Sequence, residues 1–161
     1  MTSFTAAVVQ AAAVGFDLEG GLEKVAHLAG EARAGGARLA LFPEAFLPGY
    51  PRGMSFGTVV GNRTPEGRDQ FRRYWEASVD VPGPAVDRLA QVAADHALFL
   101  VMPVVERDGG TLYCTTLFFS PDAYLGKHRK LMPTAAERNV SGSGTGRRCR
   151  SSTPRWGGSA R

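Results

Sequence analysis

The chain is poor in cysteine, with two in 161 residues, Cys114 and Cys149. Two cysteines in a cytosolic chain rarely form a structural disulfide, so stability is expected to come from an ordinary hydrophobic core. Long hydrophobic runs are missing too. The longest, "ALFLVMPVV" from Ala97 to Val105, is too short to cross a bilayer. "MTSFTAAVVQ" has no basic segment leading into an apolar one, so no signal peptide is expected and the cytoplasm is the expected location. The three histidines stand in no cluster with metal-ligand spacing, and no glycine-rich phosphate loop follows a strand. Neither a metal nor a cofactor is therefore expected. Finally, acid is missing from one segment. Residues 139–161 hold five of the nineteen basic side chains (Arg147, Arg148, Arg150, Arg155, Arg161) and none of the fifteen acidic ones. The formal charge of +4 thus belongs to the tail, and residues 1–138 are close to neutral.

What is present suits one domain: 43% hydrophobic and 21% charged residues, at a length that can enclose a core. "FTAAVVQA", Phe4–Ala11, reads as a buried strand. Asp17 is placed to cap a helix running to about Ala34, with Leu22, Val25, Ala26, Ala29 and Ala32 on one face and Gly35-Gly36 ending it. "ARLALF", Ala37–Phe42, is a second apolar strand, so the order strand, helix, strand predicts an α/β fold with at least a partly parallel sheet. A loop rich in proline and glycine follows, from Pro43 to Asn62. Thr64-Pro65-Glu66 starts a second helix and Pro84 a third. Leu98–Val105 and Thr111–Phe119 read as neighbouring strands joined at Asp108-Gly109-Gly110.

Two positions could carry chemistry. Glu44 ends an apolar strand and opens a loop shaped by Pro and Gly, which is where α/β sheets place their sites. Partial burial there is expected to raise its pKa and suit it to general-base work; a solvated loop glutamate is the plainer reading. Lys130 lies in "GKHRKLMP", where four basic side chains make either a solvated face or, with one lysine drawn inward by Leu131-Met132-Pro133, a cation for developing negative charge. His128 reads as a packing or hydrogen-bonding histidine, and Cys114, inside an apolar strand, as a buried and inert thiol.

Taken together, the two segments carry more. "GARLALFPEAFLPGYPRG" resembles the catalytic-glutamate segment of the nitrilase family of carbon–nitrogen hydrolases, with Gly36, Phe42, Glu44, Leu47, Gly49, Tyr50 and Pro51 matching and Ala40 smaller than the usual aliphatic. Gly49-Tyr50-Pro51 is similar to the branch that hydrolyses nitriles. "GKHRKLMPTAAER" resembles the catalytic-lysine segment, with Lys130 as the lysine and Glu137 as the further acidic residue. Cys114 stands where relatives often have Asn, and Ala123 where a turn glycine is common. The resemblance covers residues 4–138. It implies an α-β-β-α sandwich of two sheets flanked by helices, of which 1–138 would be the N-terminal portion. It also implies a small-molecule nitrile as substrate, assembly as a homo-oligomer, and no nucleic-acid or membrane partner. The implied chemistry is attack of a cysteine thiol on the nitrile carbon, with Glu44 as base and Lys130 stabilising charge at nitrogen. A thioimidate forms, ammonia leaves, and water releases the acid.

The implied nucleophile, a cysteine in a Cys-Trp-Glu-like context, does not occur in the 161 residues. Cys149, between Arg148 and Arg150 in a Gly/Ser/Arg-rich stretch, is no substitute. Residues 139–161 read as a disordered tail. Shifted by one base, codons for 140–161 can encode "VGLGDGSTLPVVDTPLGRLGA", a loop and an apolar strand. The expectation is a frameshift near residue 139 and a truncated chain that is inactive as written. The alternatives are an amidase or carbamoylase of the same superfamily, and a non-enzymatic protein whose basic tail binds nucleic acid.

Overall fold

A computed structural model of the chain describes residues 3–59 and 61–145. In chain order its elements are β1 (Ala6–Val8), α1 (Leu18–Ala34), β2 (Leu39–Leu41), β3 (Thr58–Val59), β4 (Asn62–Arg63), α2 (Pro65–Glu76), β5 (Val79–Asp80), α3 (Pro84–Asp95), β6 (Phe99–Asp108), β7 (Thr111–Phe119) and β8 (Tyr124–Arg129). A 3-10 helix follows at Ala135–Asn139.

The helix starts follow from the sequence. Asp17 Oδ1 accepts the Gly20 amide at 3.0 Å and Thr64 Oγ1 accepts the Gly67 amide at 3.1 Å, each satisfying a donor that the first turn leaves open. Pro65 and Pro84 stand in the first turn, where a missing N–H costs nothing. Gly67 answers a different demand. A Cβ there would lie 2.3 Å from the Phe56 carbonyl oxygen, so the 56–57 loop can cross α2 only over glycine.

The main sheet runs β1-β2-β6-β7-β8, with β5 also paired to β6. β1, β2 and β6 are parallel, and β6-β7-β8 are antiparallel. α1 and α3 cover one face. Leu22, Val25 and Ala29 of α1 and Val86, Leu89 and Ala93 of α3 share a core with Ala40, Leu100, Met102, Val104, Leu117 and Phe119 of the sheet. A fully buried leucine contributes roughly 1.5–3 kcal/mol, so this face dominates stability.

The other face is open toward β1 and β2, while at its far end Val105 and Leu112 are buried in a second core with Phe56 and with Tyr74 of α2. Register aligns Val8, Leu41, Val101 and Phe118 in one row across four strands. Val8 is 69% exposed and Leu41 38%. The buried strand expected over Phe4–Ala11 is thus a three-residue edge strand with one side uncovered: alternation fixes the phase of the side chains but not what lies over them.

The backbone remains hydrogen-bonded beyond the break expected at 139. The Ser141 amide bonds Glu137 O, Gly142 bonds Leu112 O at 2.8 Å, and Gly144 bonds Lys130 O at 2.9 Å. Val140 packs against the cluster formed by Ala45, Phe56, Tyr74, Val105 and Leu112. A disordered tail beginning at 139 is therefore corrected for 139–145, where sheet contacts supply partners that composition does not show. Residues 146–161, including Cys149, lie outside the described part.

Candidate active site

The open face carries the candidate site. Below the apolar row, Pro103, Thr116 and His128 stand in register on β6, β7 and β8. With Glu44, Cys114, Lys130 and Leu131 they line an open cleft of about 490 Å³.

Glu44 reaches the cleft because the chain after β2 keeps running beside β6. Phe42 N bonds Val101 O, Phe46 N bonds Pro103 O at 3.0 Å, and Val105 N bonds Leu47 O at 2.7 Å. The turn between them places Ala45 at φ +49°, in the left-handed region that a residue with a Cβ adopts at a cost of about 1–3 kcal/mol. The flanking bonds to β6 and the burial of Ala45 hold it there. Tyr74, buried in α2, donates its hydroxyl to Gly49 O at 2.9 Å and pins the far end of the loop. Burial pushes that phenol well above its ordinary pKa, so it remains a donor.

Lys130 follows β8 directly, and its amide continues the ladder to Cys114 O at 2.8 Å. Its ammonium donates to Glu44 Oε1 at 2.7 Å and to Glu137 Oε2 at 3.0 Å. Glu137 Oε2 also accepts the Thr134 amide at 2.8 Å, and its side chain is 5% exposed against 50% for Glu44. One carboxylate is therefore fixed and enclosed, while the other faces the cleft. The structure brings together all three site residues expected from sequence.

The electrostatics correct one expectation. The Glu44 carboxyl lies below its ordinary pKa, not above it. The Lys130 hydrogen bond is the largest influence, outweighing burial, and the Cys114 thiol adds to it. Glu44 is thus ionised at neutral pH and can accept a proton. The bond to Glu44 raises the Lys130 pKa above the lysine range.

Cys114 was legible only as a buried thiol. Its Sγ lies 3.3 Å from Glu44 Oε1, with the thiol donating. Burial, reinforced by the Glu44 carboxylate, pushes its pKa up to about 12, so it acts as a donor and not as a thiolate. The signal available in sequence was the strand phase: Cys114 and Thr116 alternate with Tyr113 and Thr115 and so share the face of the site. His128, expected to pack, is exposed on the cleft wall, because its register partner Thr116 lies on the uncovered face.

Glu44, Cys114 and Glu137 place three potential metal-ligand atoms within 4.8 Å of one another, a group that the linear spacing did not reveal. The Lys130 ammonium bonds both carboxylates. It fills the cationic role that a metal would otherwise take between them.

The sheet thus presents a carboxylate–lysine–carboxylate cluster at one mouth. The carbon-nitrogen hydrolase family model matches residues 5–156, and the chain belongs to that family. It is 52% identical over 157 residues to an aliphatic nitrilase of Sinorhizobium fredii (strain HH103), covering 98% of this chain and 51% of that protein. It is 55% identical over 142 residues to the bifunctional nitrilase/nitrile hydratase NIT4A of Lupinus angustifolius, covering 88% of this chain and 41% of the relative. The chain therefore spans about half or less of the length of these relatives. Among solved structures, the fold matches an amidase from Nesterenkonia sp. with a TM-score of 0.62 at 22% identity, over 86% of this chain and 47% of the other. It also matches XC1258, a CN-hydrolase superfamily protein from Xanthomonas campestris, with a TM-score of 0.66 at 21% identity, over 89% and 47%. These likenesses identify the α/β architecture as part of the nitrilase-superfamily fold.

Proposed function

We propose that residues 1–138 form the carboxylate–ammonium part of a site that converts a nitrile to a carboxylic acid and ammonia. The observation that carries this reading is the Lys130 ammonium held between Glu44 and Glu137. Glu44, ionised and facing the cleft, takes the proton of an attacking thiol. Sulfur bonds to the nitrile carbon, and Lys130 faces the nitrogen on which negative charge develops. Protonation gives a thioimidate. One water then displaces ammonia to leave a thioester, and a second releases the acid and restores the thiol. Glu137 keeps Lys130 charged and aimed. The nitrilase names of the relatives at 52–55% identity support a nitrile as substrate.

The thiol in this scheme comes from a segment reached by a one-base shift in reading frame near residue 139. Among the described residues the one thiol at the cleft is Cys114, which is held protonated, and losing a covalent nucleophile can lower a rate by roughly a millionfold. The shifted reading "VGLGDG" retains glycine at alternate positions. Gly142 and Gly144, both of which bond neighbouring strands, have the same spacing in the chain as written. The reading includes a cytoplasmic homo-oligomer without nucleic-acid or membrane partners; among the described residues no helix is long and apolar enough to cross a membrane.

The test is to express the gene with the frame restored after codon 139 and to measure ammonia release from aliphatic and aromatic nitriles and from the matching amides. Faster release from nitriles supports the proposal. Release from amides alone selects the amidase reading, which the same charges would serve. No downstream Cys-Trp-Glu-like codons in the shifted frame would rule out the frameshift.

A further inference from the structure

We infer that Glu106 is a positioning residue for Lys130, acting through the pleat of β8 from the opposite face of the sheet. Glu106 lies in β6, is 1% exposed, and is the centre of a charged cluster on the helix-covered side. Its carboxylate accepts the Thr115 hydroxyl at 2.8 Å from β7. From β8 it accepts the Arg129 guanidinium at 2.9 and 2.6 Å, and the Lys127 ammonium. The outer edge of Arg129 bonds Asp108 at 2.7 Å, and its plane lies over the Tyr113 ring, 3.9 Å from the centroid. Arg129 is thus held from three sides.

Alternation transmits this hold. Lys127 and Arg129 point to the covered face, while His128 and Lys130 point to the cleft. Arg129 and Lys130 are consecutive, so fixing one side chain beneath the sheet fixes the backbone that aims the next one above it. A buried ion pair is weak evidence for net stability, because desolvation offsets most of the attraction. What this one supplies is geometry. Three strands meet at one carboxylate, which sets the height of β8 against β6, and with it the height of Lys130 against Glu44. The inference rests on Lys130 being a working group of the proposed site, but its test requires no turnover.

The chain has three lysines, Lys24, Lys127 and Lys130, which allows competitive acylation with a trace acetylating reagent across a pH series, read by mass spectrometry with Lys24 as internal reference. Wild-type Lys130, doubly ion-paired, is expected to react slowly. In Glu106→Gln its rate relative to Lys24 is expected to rise about tenfold, the change produced by a fall of one unit in its pKa. Asp108→Ala, which removes only the solvent-side contact of Arg129, is expected to leave it within twofold. If Glu106→Gln does not fold, Thr115→Val withdraws the hydroxyl alone, and a rise of twofold or more at Lys130 supports the inference. A Lys130 profile unchanged in a folded Glu106→Gln, or in Thr115→Val, overturns it. Failure of nitrile hydrolysis in the frame-restored protein would leave this labelling result standing.

Discussion

The Lys130 ammonium lies 2.7 Å from Glu44 Oε1, a bond that joins positions 86 residues apart in the chain. It is the strongest influence on the Glu44 carboxyl and holds it below the ordinary value of 4.5. Lys130→Met is therefore expected to move the Glu44 titration upward, as burial would then act without its main opponent. It also leaves the enclosed Glu137 carboxylate without its cation, at a cost of about 1–3 kcal/mol. Carbon-13 NMR titration of the glutamate carboxyls and a urea melt at pH 7 check both statements.

Cys114 is expected to resist alkylation. With its pKa near 12 against an ordinary 9.0, the folded protein at pH 8 holds roughly a thousandfold less thiolate at this position than the unfolded chain. In a Cys149→Ser background, iodoacetamide uptake should be slow until urea unfolds the protein. Equal rates with and without urea would contradict the buried hydrogen bond to Glu44.

Acid should unfold the protein through its carboxylates. Burial alone would raise the Glu106 pKa, but hydrogen bonds from Arg129, Lys127 and Thr115 together bring it below 4.5. A carboxylate depressed in the folded state contributes stability that is present above its unfolded pKa and lost as pH falls through the folded one. Glu44, Asp80 and Asp108 shift in the same direction. The urea midpoint should hold steady from pH 7 to about 5 and fall below about 4, and the fall should be shallower in Glu106→Gln.

Gly67→Ala sets two effects against each other. Helix propensity favours alanine by about 1 kcal/mol in a helix interior. The new Cβ, however, would meet the Phe56 carbonyl oxygen at 2.3 Å and Gly57 at 2.5 Å, both backbone atoms that cannot turn aside. Overpacking of this kind costs about 1–3 kcal/mol, so the net expectation is a lower melting temperature, measurable by circular dichroism.

The helices were legible because their signals are local. Asp17, Thr64, Pro65, Pro84 and Gly35 act within a turn of themselves, and α1 runs from Leu18 to Ala34 as the cap and the glycine pair predict. Glu44, Lys130 and Glu137 were legible as a set because two motifs resembled one family. What escaped were the relations between strands. Glu106 in "VVERD" looks like a charge near a hairpin until register sets it among Thr115, Lys127 and Arg129. The direction of the Glu44 shift depended on a partner on another strand, and the exposure of Val8 on the side of a sheet that no sequence period describes.

The position of Glu137 also has a consequence in time. A chain emerging from the ribosome presents Glu44 early, with the sheet still lacking β6, β7 and β8. The ammonium that neutralises it arrives 86 residues later, and the second carboxylate that anchors that ammonium seven residues after that. The three charged side chains thus need no residue beyond 137 to supply them.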